Sequence, residues 1–189
     1  MYRIAVTNRH LCQEDFLTHI RRLAEDTYYD AILLREKDMT EGDYYILAKE
    51  VLAICQNSGK KCIFHSFYQA ARECGHTMIH LPLPLFRTLT EEEKSFFTEL
   101  GTSVHSLEQA EEALDLGAPY VTAGHIFPTS CKPGLPSRGL SFLKEICDSI
   151  PIPVYGIGGI CQANERLVTD QGAKGVCIMS GAMKKISHR

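Results

Sequence analysis

The sequence lacks any apolar run close to the roughly 20 residues that a membrane-spanning helix needs. Its first ten residues, MYRIAVTNRH, also lack the pattern of a secretory signal peptide. We therefore expect a cytoplasmic protein with no membrane partner.

Clusters of basic residues are missing as well. The 20 Lys and Arg residues are balanced by 23 Asp and Glu, which gives a formal net charge of −3. Nucleic acids and anionic membranes are bound largely through clustered positive charge, so neither is an expected partner.

Paired cysteine motifs are the third absence. The eight cysteines are scattered along the chain and contain no CxxC pair. This spacing argues against a zinc site and against a disulfide framework, and it is typical of reduced thiols in a cytoplasmic protein.

The composition that is present is that of an ordinary globular protein. Hydrophobic residues make up 44% of the 189 positions and charged residues 23%. This length and balance predict a single domain over residues 1–189 with a buried core.

Short β-branched or apolar runs alternate with helical stretches along the whole chain. The predicted strands are residues 2–7, 31–35, 62–64, 78–81, 102–104, 120–123, 154–156 and 175–179. The predicted helices are residues 14–26, 41–57, 68–74, 91–100, 107–116, 141–149 and 163–171.

Eight strands joined by helices predict a (β/α)₈ TIM barrel. An open parallel sheet of five or six strands is the alternative if the shortest strands are wrong. Only AMKKISHR follows Gly181, so we expect the eighth helix to be short or missing.

Glycine-rich turns follow the seventh and eighth predicted strands. Gly158 and Gly159 belong to the first turn, and Ser180 and Gly181 to the second. Barrels often bind phosphate at these two positions, because glycine lets backbone N–H groups approach an anion. The alternative is a pair of tight strand-to-helix turns.

Charged and titratable residues follow two other strands. Arg35 and Lys37 end the second strand and could bind a carboxylate or a phosphate, or else form a solvated rim. His125 follows the sixth strand, with Thr129 and Lys132 just beyond it, and is a candidate for proton transfer near neutral pH.

The remaining histidines give weaker signals. His76 and His80 have i, i+4 spacing, but HTMIH lacks the glutamate of a zincin motif and runs into a strand, so we predict no metal site. His105 could either line the site or cap the next helix.

Five segments, in this order, resemble the family of thiamine phosphate synthase and the TenI thiazole tautomerases. They are LLREK (33–37), SVHSLEQA (103–110), YVTAGHIFPTSCKPG (120–134), GIGGI (156–160) and GVCIMSG (175–181). The resemblance implies a (β/α)₈ barrel.

Departures from the synthase pattern favour the tautomerase branch. The synthase has Asn-Asp after the third strand and Asp after the fourth, which help to hold Mg²⁺ and pyrophosphate. Here His65-Ser66 and Leu85 stand near those places, and Leu33 replaces a Gln. The tautomerase histidine corresponds to His125.

The resemblance implies an isomerase that uses no metal and no cofactor. His125 would be catalytic, and the substrate would be a small thiazole that carries a phosphate and a carboxylate. The residues implied in binding it are Arg35, Lys37, Ser103, Thr129, Lys132, Gly158, Gly159, Ser180 and Gly181.

Two other functions stay open. One is a thiamine phosphate synthase with a degenerate Mg²⁺ site, and the other is a non-catalytic regulatory protein similar to TenI. Family members are often dimers, which makes a homodimer the candidate assembly.

Overall fold

Eight parallel strands form a closed barrel in which each strand pairs with the next and the last pairs with the first. The computed structural model describes residues 1–129 and 134–184. The strands are β1 (Tyr2–Val6), β2 (Ala31–Leu34), β3 (Lys61–His65), β4 (Met78–Pro82), β5 (Glu99–Val104), β6 (Val121–Gly124), β7 (Val154–Ile157) and β8 (Gly175–Ile178). The predicted (β/α)₈ barrel is confirmed.

Helices connect the strands on the outside of the barrel. They are α1 (Phe16–Glu25), α2 (Glu41–Asn57), α3 (Tyr68–Glu73), α4 (Leu83–Phe86), α5 (Glu91–Ser95), α6 (Leu107–Asp115), α7 (Gly139–Ser149), α8 (Glu165–Thr169) and α9 (Ser180–Met183). A 3₁₀ turn, Arg9–Leu11, precedes α1. Within the described ranges, none of these helices has the length and apolar character required to cross a membrane.

The sequence predicts the start of α6 correctly but only half of its cap. The Ser106 side chain accepts a hydrogen bond from the Gln109 N–H at 3.2 Å, as in a capping box. The Gln109 carboxamide oxygen, however, accepts from the His105 N–H at 2.8 Å. The side chain thereby fixes the backbone of the residue before the cap.

The predicted helix over 91–100 is wrong in its second half. Helix α5 ends at Ser95, and β5 begins at Glu99, three residues earlier than expected. The N–H groups of Thr98 and Glu99 donate to the carbonyl oxygen of Thr77, which starts the pairing of β5 with β4. Strand pairing in the barrel thus overrides the local helical preference.

Apolar side chains form two layers because residues alternate across each strand. In β1, Ile4 and Val6 point into the barrel interior together with Leu33 and Cys177. Ala5 points outward into the larger core between the strands and the helices. Helices cover the outer face, so the inward residues at the strand ends form the floor of the barrel mouth.

The described part of the chain after β8 contains one short helix. Helix α9 contains four residues, Ser180–Met183, and residues 185–189 lie outside the described ranges. His19, a buried residue of α1, donates from Nε2 to the carbonyl oxygen of Ala182 at 2.7 Å. This bond attaches the chain after β8 to the first helix.

Candidate active site

A cavity of about 650 Å³ opens at the carboxyl ends of the strands. The predicted site residues that line it are Arg35, Lys37, Ser103, His125, Thr129, Gly158, Gly159, Ser180 and Gly181. Lys132 lies outside the described residues. The structure therefore brings together residues that lie up to 146 positions apart, from Arg35 to Gly181, at the face where TIM barrels hold their active sites.

The segment after β2 points alternate side chains in opposite directions. Arg35 and Lys37 face the cavity, while Glu36 is 1% exposed and points away from it. The Glu36 carboxylate accepts from the Thr7 hydroxyl at 2.6 Å and from the Arg9 N–H at 3.0 Å. Because its oxygens are held there, the carboxylate does not neutralise the two cations at the cavity.

His125 is held between the turns that follow β6 and β7. Its imidazole is buried and lines the cavity, with Nε2 3.4 Å from the carbonyl oxygen of Leu135. Gly158 packs directly against it: a Cβ on Gly158 would collide with the His125 Cβ and lie 2.7 Å from its Cα. Glycine at 158 is what allows the imidazole to occupy this position.

Backbone hydrogen bonds fasten these two turns together. The Ile126 N–H donates to the Ile157 carbonyl oxygen at 2.9 Å, and the Phe127 N–H to that of Gly158 at 3.0 Å. Gly159 has φ +66°, and a Cβ there would lie 2.6 Å from the Pro128 carbonyl oxygen. The predicted catalytic turn and the predicted phosphate turn are therefore hydrogen-bonded to each other and closely packed.

The floor of the cavity has an apolar half and a hydrogen-bonding half. Val6, Leu33, Ile157 and Cys177 form the apolar half, from β1, β2, β7 and β8. The other half comes from β3 to β6 and consists of His65, His80, Ser103 and Thr122.

His65, His80 and Thr122 are site residues that the sequence analysis missed. In β4, strand alternation places His80 on the face opposite Ile79 and Leu81. Because helices cover the outside of the barrel, that face is the interior. The alternation in HTMIHLP was the signal that could have placed His80 in the cavity.

A hydrogen-bond network fixes His80. Its Nε2 lies 2.8 Å from the Ser103 hydroxyl and 3.3 Å from that of Thr122, and its Nδ1 lies 3.3 Å from the Tyr120 hydroxyl. The His65 ring stacks beside it, with ring centroids 5.9 Å apart. Ser103, predicted to bind substrate, is thus also part of the floor.

Both floor imidazoles are neutral near pH 7. Burial lowers the pKa of His80 to about 3, and Lys37 adds to the effect. Burial is also the main reason why the pKa of His65 lies well below its usual value, followed by the proximity of His80. These rings therefore add no positive charge to the floor of the cavity near pH 7.

The depressed pKa of His80 predicts a loss of stability in acid. Between about pH 6 and pH 4 the unfolded chain binds a proton at this residue that the native state does not. The free energy of unfolding should therefore fall as the pH falls. Urea titrations at several pH values give the free energy of unfolding as a function of pH. Between pH 6 and pH 4, the slope of that free energy against pH should be smaller for His80→Gln than for the wild type by about 1.4 kcal/mol per pH unit. Parallel wild-type and variant profiles would contradict the assignment.

His105 also lines the cavity, where its ring contacts Gly124, the residue directly before His125. Its Nδ1 lies 2.7 Å from the carbonyl oxygen of Gly124. The sequence left open whether His105 lines the site or caps α6; Ser106 is the N-cap residue, and the His105 ring belongs to the cavity.

Positive charge dominates the cavity. Its basic side chains are Arg35, Lys37, Arg87 and Lys184, and the described part of the lining contains no Asp or Glu. Arg87 follows no motif that would mark it as a site residue, and it is paired with Glu112 on α6. A lining with this balance of charge favours a ligand that carries negative charge.

The chain is similar in sequence and in structure to proteins of one known family. A family model described as thiamine monophosphate synthase matches residues 3–182. A thiamine-phosphate synthase from Roseiflexus sp. (strain RS-1) is 33% identical over 184 residues, which cover 94% of this chain and 76% of that protein. A putative thiamine-phosphate synthase 2 from Aquifex aeolicus is 31% identical, over 93% of this chain and 94% of that protein. The solved structure of a thiamine phosphate pyrophosphorylase from Pyrococcus furiosus has a TM-score of 0.82 and 26% identity, over 97% of this chain and 88% of that chain.

Proposed function

This chain belongs to the thiamine monophosphate synthase family, an enzyme family of thiamine biosynthesis, and within that family we propose that it is a thiazole tautomerase. The substrate would be a dihydrothiazole that bears a 2-carboxylate, an exocyclic ylidene and an ethyl phosphate. The product is the aromatic thiazole. The observation that carries the proposal is the imidazole of His125 in a cavity whose described lining has cations and no carboxylate.

The reaction moves one hydrogen and needs no oxidant or reductant. A base removes the proton from ring carbon C2, and the C–H electron pair forms the C2=N3 bond. The N3=C4 pair shifts to C4=C5, and the exocyclic carbon takes up a proton as its double bond to C5 is lost. In its simplest form, one imidazole acts first as base and then as acid, a contribution of about 10²–10⁴-fold.

The cavity offers separate contacts for the two anionic groups of this substrate. Gly158 and Gly159 after β7, with Ser180 and Gly181 after β8, would bind the phosphate through backbone N–H groups. Arg35 and Lys37 would bind the carboxylate from the side of β2, with Ser103 and Thr129 as hydrogen-bonding groups. The apolar half of the floor would pack against the thiazole ring.

The names of the relatives favour a second candidate, thiamine-phosphate synthase. That reaction couples a pyrimidine pyrophosphate to a thiazole phosphate and requires Mg²⁺. Mg²⁺ prefers carboxylate and other oxygen ligands. The described lining instead offers imidazoles, hydroxyls and cations, and Lys37 and Arg35 would repel the ion. This donor set therefore does not fit Mg²⁺.

Two parallel assays separate these functions. The purified protein should aromatise the dihydrothiazole at a rate that EDTA leaves unchanged, because the proposed groups are side chains and backbone. It should form no thiamine phosphate from the two synthase substrates with Mg²⁺. Synthase turnover would overturn the proposal, and binding of the thiazole phosphate without turnover in either assay would favour the regulatory alternative.

A further inference from the structure

His105 makes one hydrogen bond through its backbone and one through its ring, and the second of these orients the ring. Its backbone N–H donates to the side chain of Gln109 at 2.8 Å, and its Nδ1 lies 2.7 Å from the Gly124 carbonyl oxygen. Both partners come from the elements that border the cavity, the start of α6 and the end of β6.

The bond to Gly124 also fixes where the ring proton sits. A carbonyl oxygen can only accept a hydrogen bond, so the proton must be on Nδ1. In the neutral ring, Nε2 then carries the lone pair and is the basic nitrogen. This is the arrangement by which proteins orient a histidine that acts as a base.

The position of His105 connects it to His125. Gly124, its acceptor, is the residue that directly precedes His125, and both imidazoles line the same cavity. Ser103 lies two residues before His105 and lines the cavity as well. Two histidines from neighbouring strand ends therefore border the space assigned to the substrate.

We propose that His105 is a second catalytic residue, so that one imidazole removes the proton and the other delivers one. This proposal rests on the tautomerase function. His105 Nε2 takes the C2 proton, and the electron pair moves through C2=N3 and C4=C5 to the exocyclic carbon. His125, as the imidazolium, gives its proton to that carbon. His105 ends the cycle protonated and His125 neutral, and exchange with solvent restores both.

This division of labour removes a geometric demand on a single ring. C2 and the exocyclic carbon are separated by the ring sulfur and C5, so one fixed imidazole would have to reach both. His125 is fixed by its packing against Gly158 and by the contact of Nε2 with Leu135. A second imidazole anchored on Gly124 allows each ring to serve one carbon without moving.

His105→Asn tests the proposal, because its amide N–H can still donate to Gly124 while the basic Nε2 is lost. We expect kcat to fall by about 10²-fold with little change in KM, and added imidazole to restore part of it. His10→Asn, at an exposed residue outside this cavity, should turn over as wild type does. A His105→Asn enzyme with wild-type kcat would overturn the role of His105.

An isotope measurement on the wild-type enzyme needs no variant. With substrate deuterated at C2, in ordinary water, two separate groups should yield a product without deuterium in its ethyl side chain. Deuterium transferred into the side chain would show a single group that carries the proton across, and it would overturn the proposal. Absence of wild-type turnover would overturn the tautomerase function itself, whereas the two results above overturn only the role of His105.

Discussion

His125→Ala is expected to lower kcat for aromatisation of the dihydrothiazole by about 10²–10⁴-fold. The substitution removes the imidazole at the junction of the β6 and β7 turns and leaves in place Arg35 and Gly159, which we propose as anion contacts. Affinity for the aromatic product, measured by calorimetry, should therefore change much less than kcat. Steady-state kinetics of the two proteins give the comparison.

His125→Asn is the matched control for packing. Asparagine fills part of the space and can donate toward the Leu135 carbonyl oxygen, but it cannot exchange a proton near neutral pH. Its kcat should be as low as that of His125→Ala. If the asparagine variant recovers most of the activity, His125 acts through packing and the assignment of proton transfer to its imidazole is wrong.

The fold was predictable because local patterns of apolar residues and helix caps indicate the alternation of strands and helices. Helix α2 has the bounds expected from the sequence, since Thr40 caps it and the acidic residues Glu41 and Asp43 follow in its first turn. The helix predicted around Phe97 is wrong because the structure of this segment depends on pairing with β4, and no local stretch of sequence contains that interaction.

The site was predictable where residues follow a strand end with a recognisable pattern. Gly158, His125 and Arg35 belong to such segments, and all three line the cavity. His65 is the last residue of β3 and His80 lies inside β4, and whether either side chain reaches the cavity depends on which face of its strand points into the barrel. For His80, alternation with Ile79 and Leu81 indicates the inward face, but only once the sheet is known to close into a barrel that helices cover.

The effect of Glu36 on the charge of the cavity could not be predicted from the sequence. In the sequence, Arg35-Glu36-Lys37 alternates in sign, with one carboxylate between two cations. In the fold, Glu36 is buried against Thr7 and Arg9, so only the two cations face the cavity. The electrostatic character of the cavity therefore comes from the contact of β2 with the 3₁₀ turn after β1, which no linear motif records.

Gly158→Ala is expected to reduce kcat by about 10²-fold, the effect of a displacement of roughly 1 Å in a catalytic group. Gly158 has φ +101°, a conformation that L-residues rarely adopt, and the new Cβ would collide with His125. The imidazole would have to move, and the turn assigned to the phosphate would move with it. We therefore expect a higher KM as well, measured in the same steady-state assay.

Gly117→Ala is the control that separates backbone strain at a positive φ from collision of a new Cβ with His125. Gly117 has φ +80°, but a Cβ there would meet nothing within 4 Å, and it lies at the end of α6, outside the cavity lining. It should lose about 1–2 kcal/mol of unfolding free energy with normal kcat. If Gly158→Ala also kept normal kcat, contact between Gly158 and His125 would not set the position of the imidazole. A fall in kcat for Gly158→Ala but not for Gly117→Ala would show that the turn after β7 sets the position of the His125 imidazole.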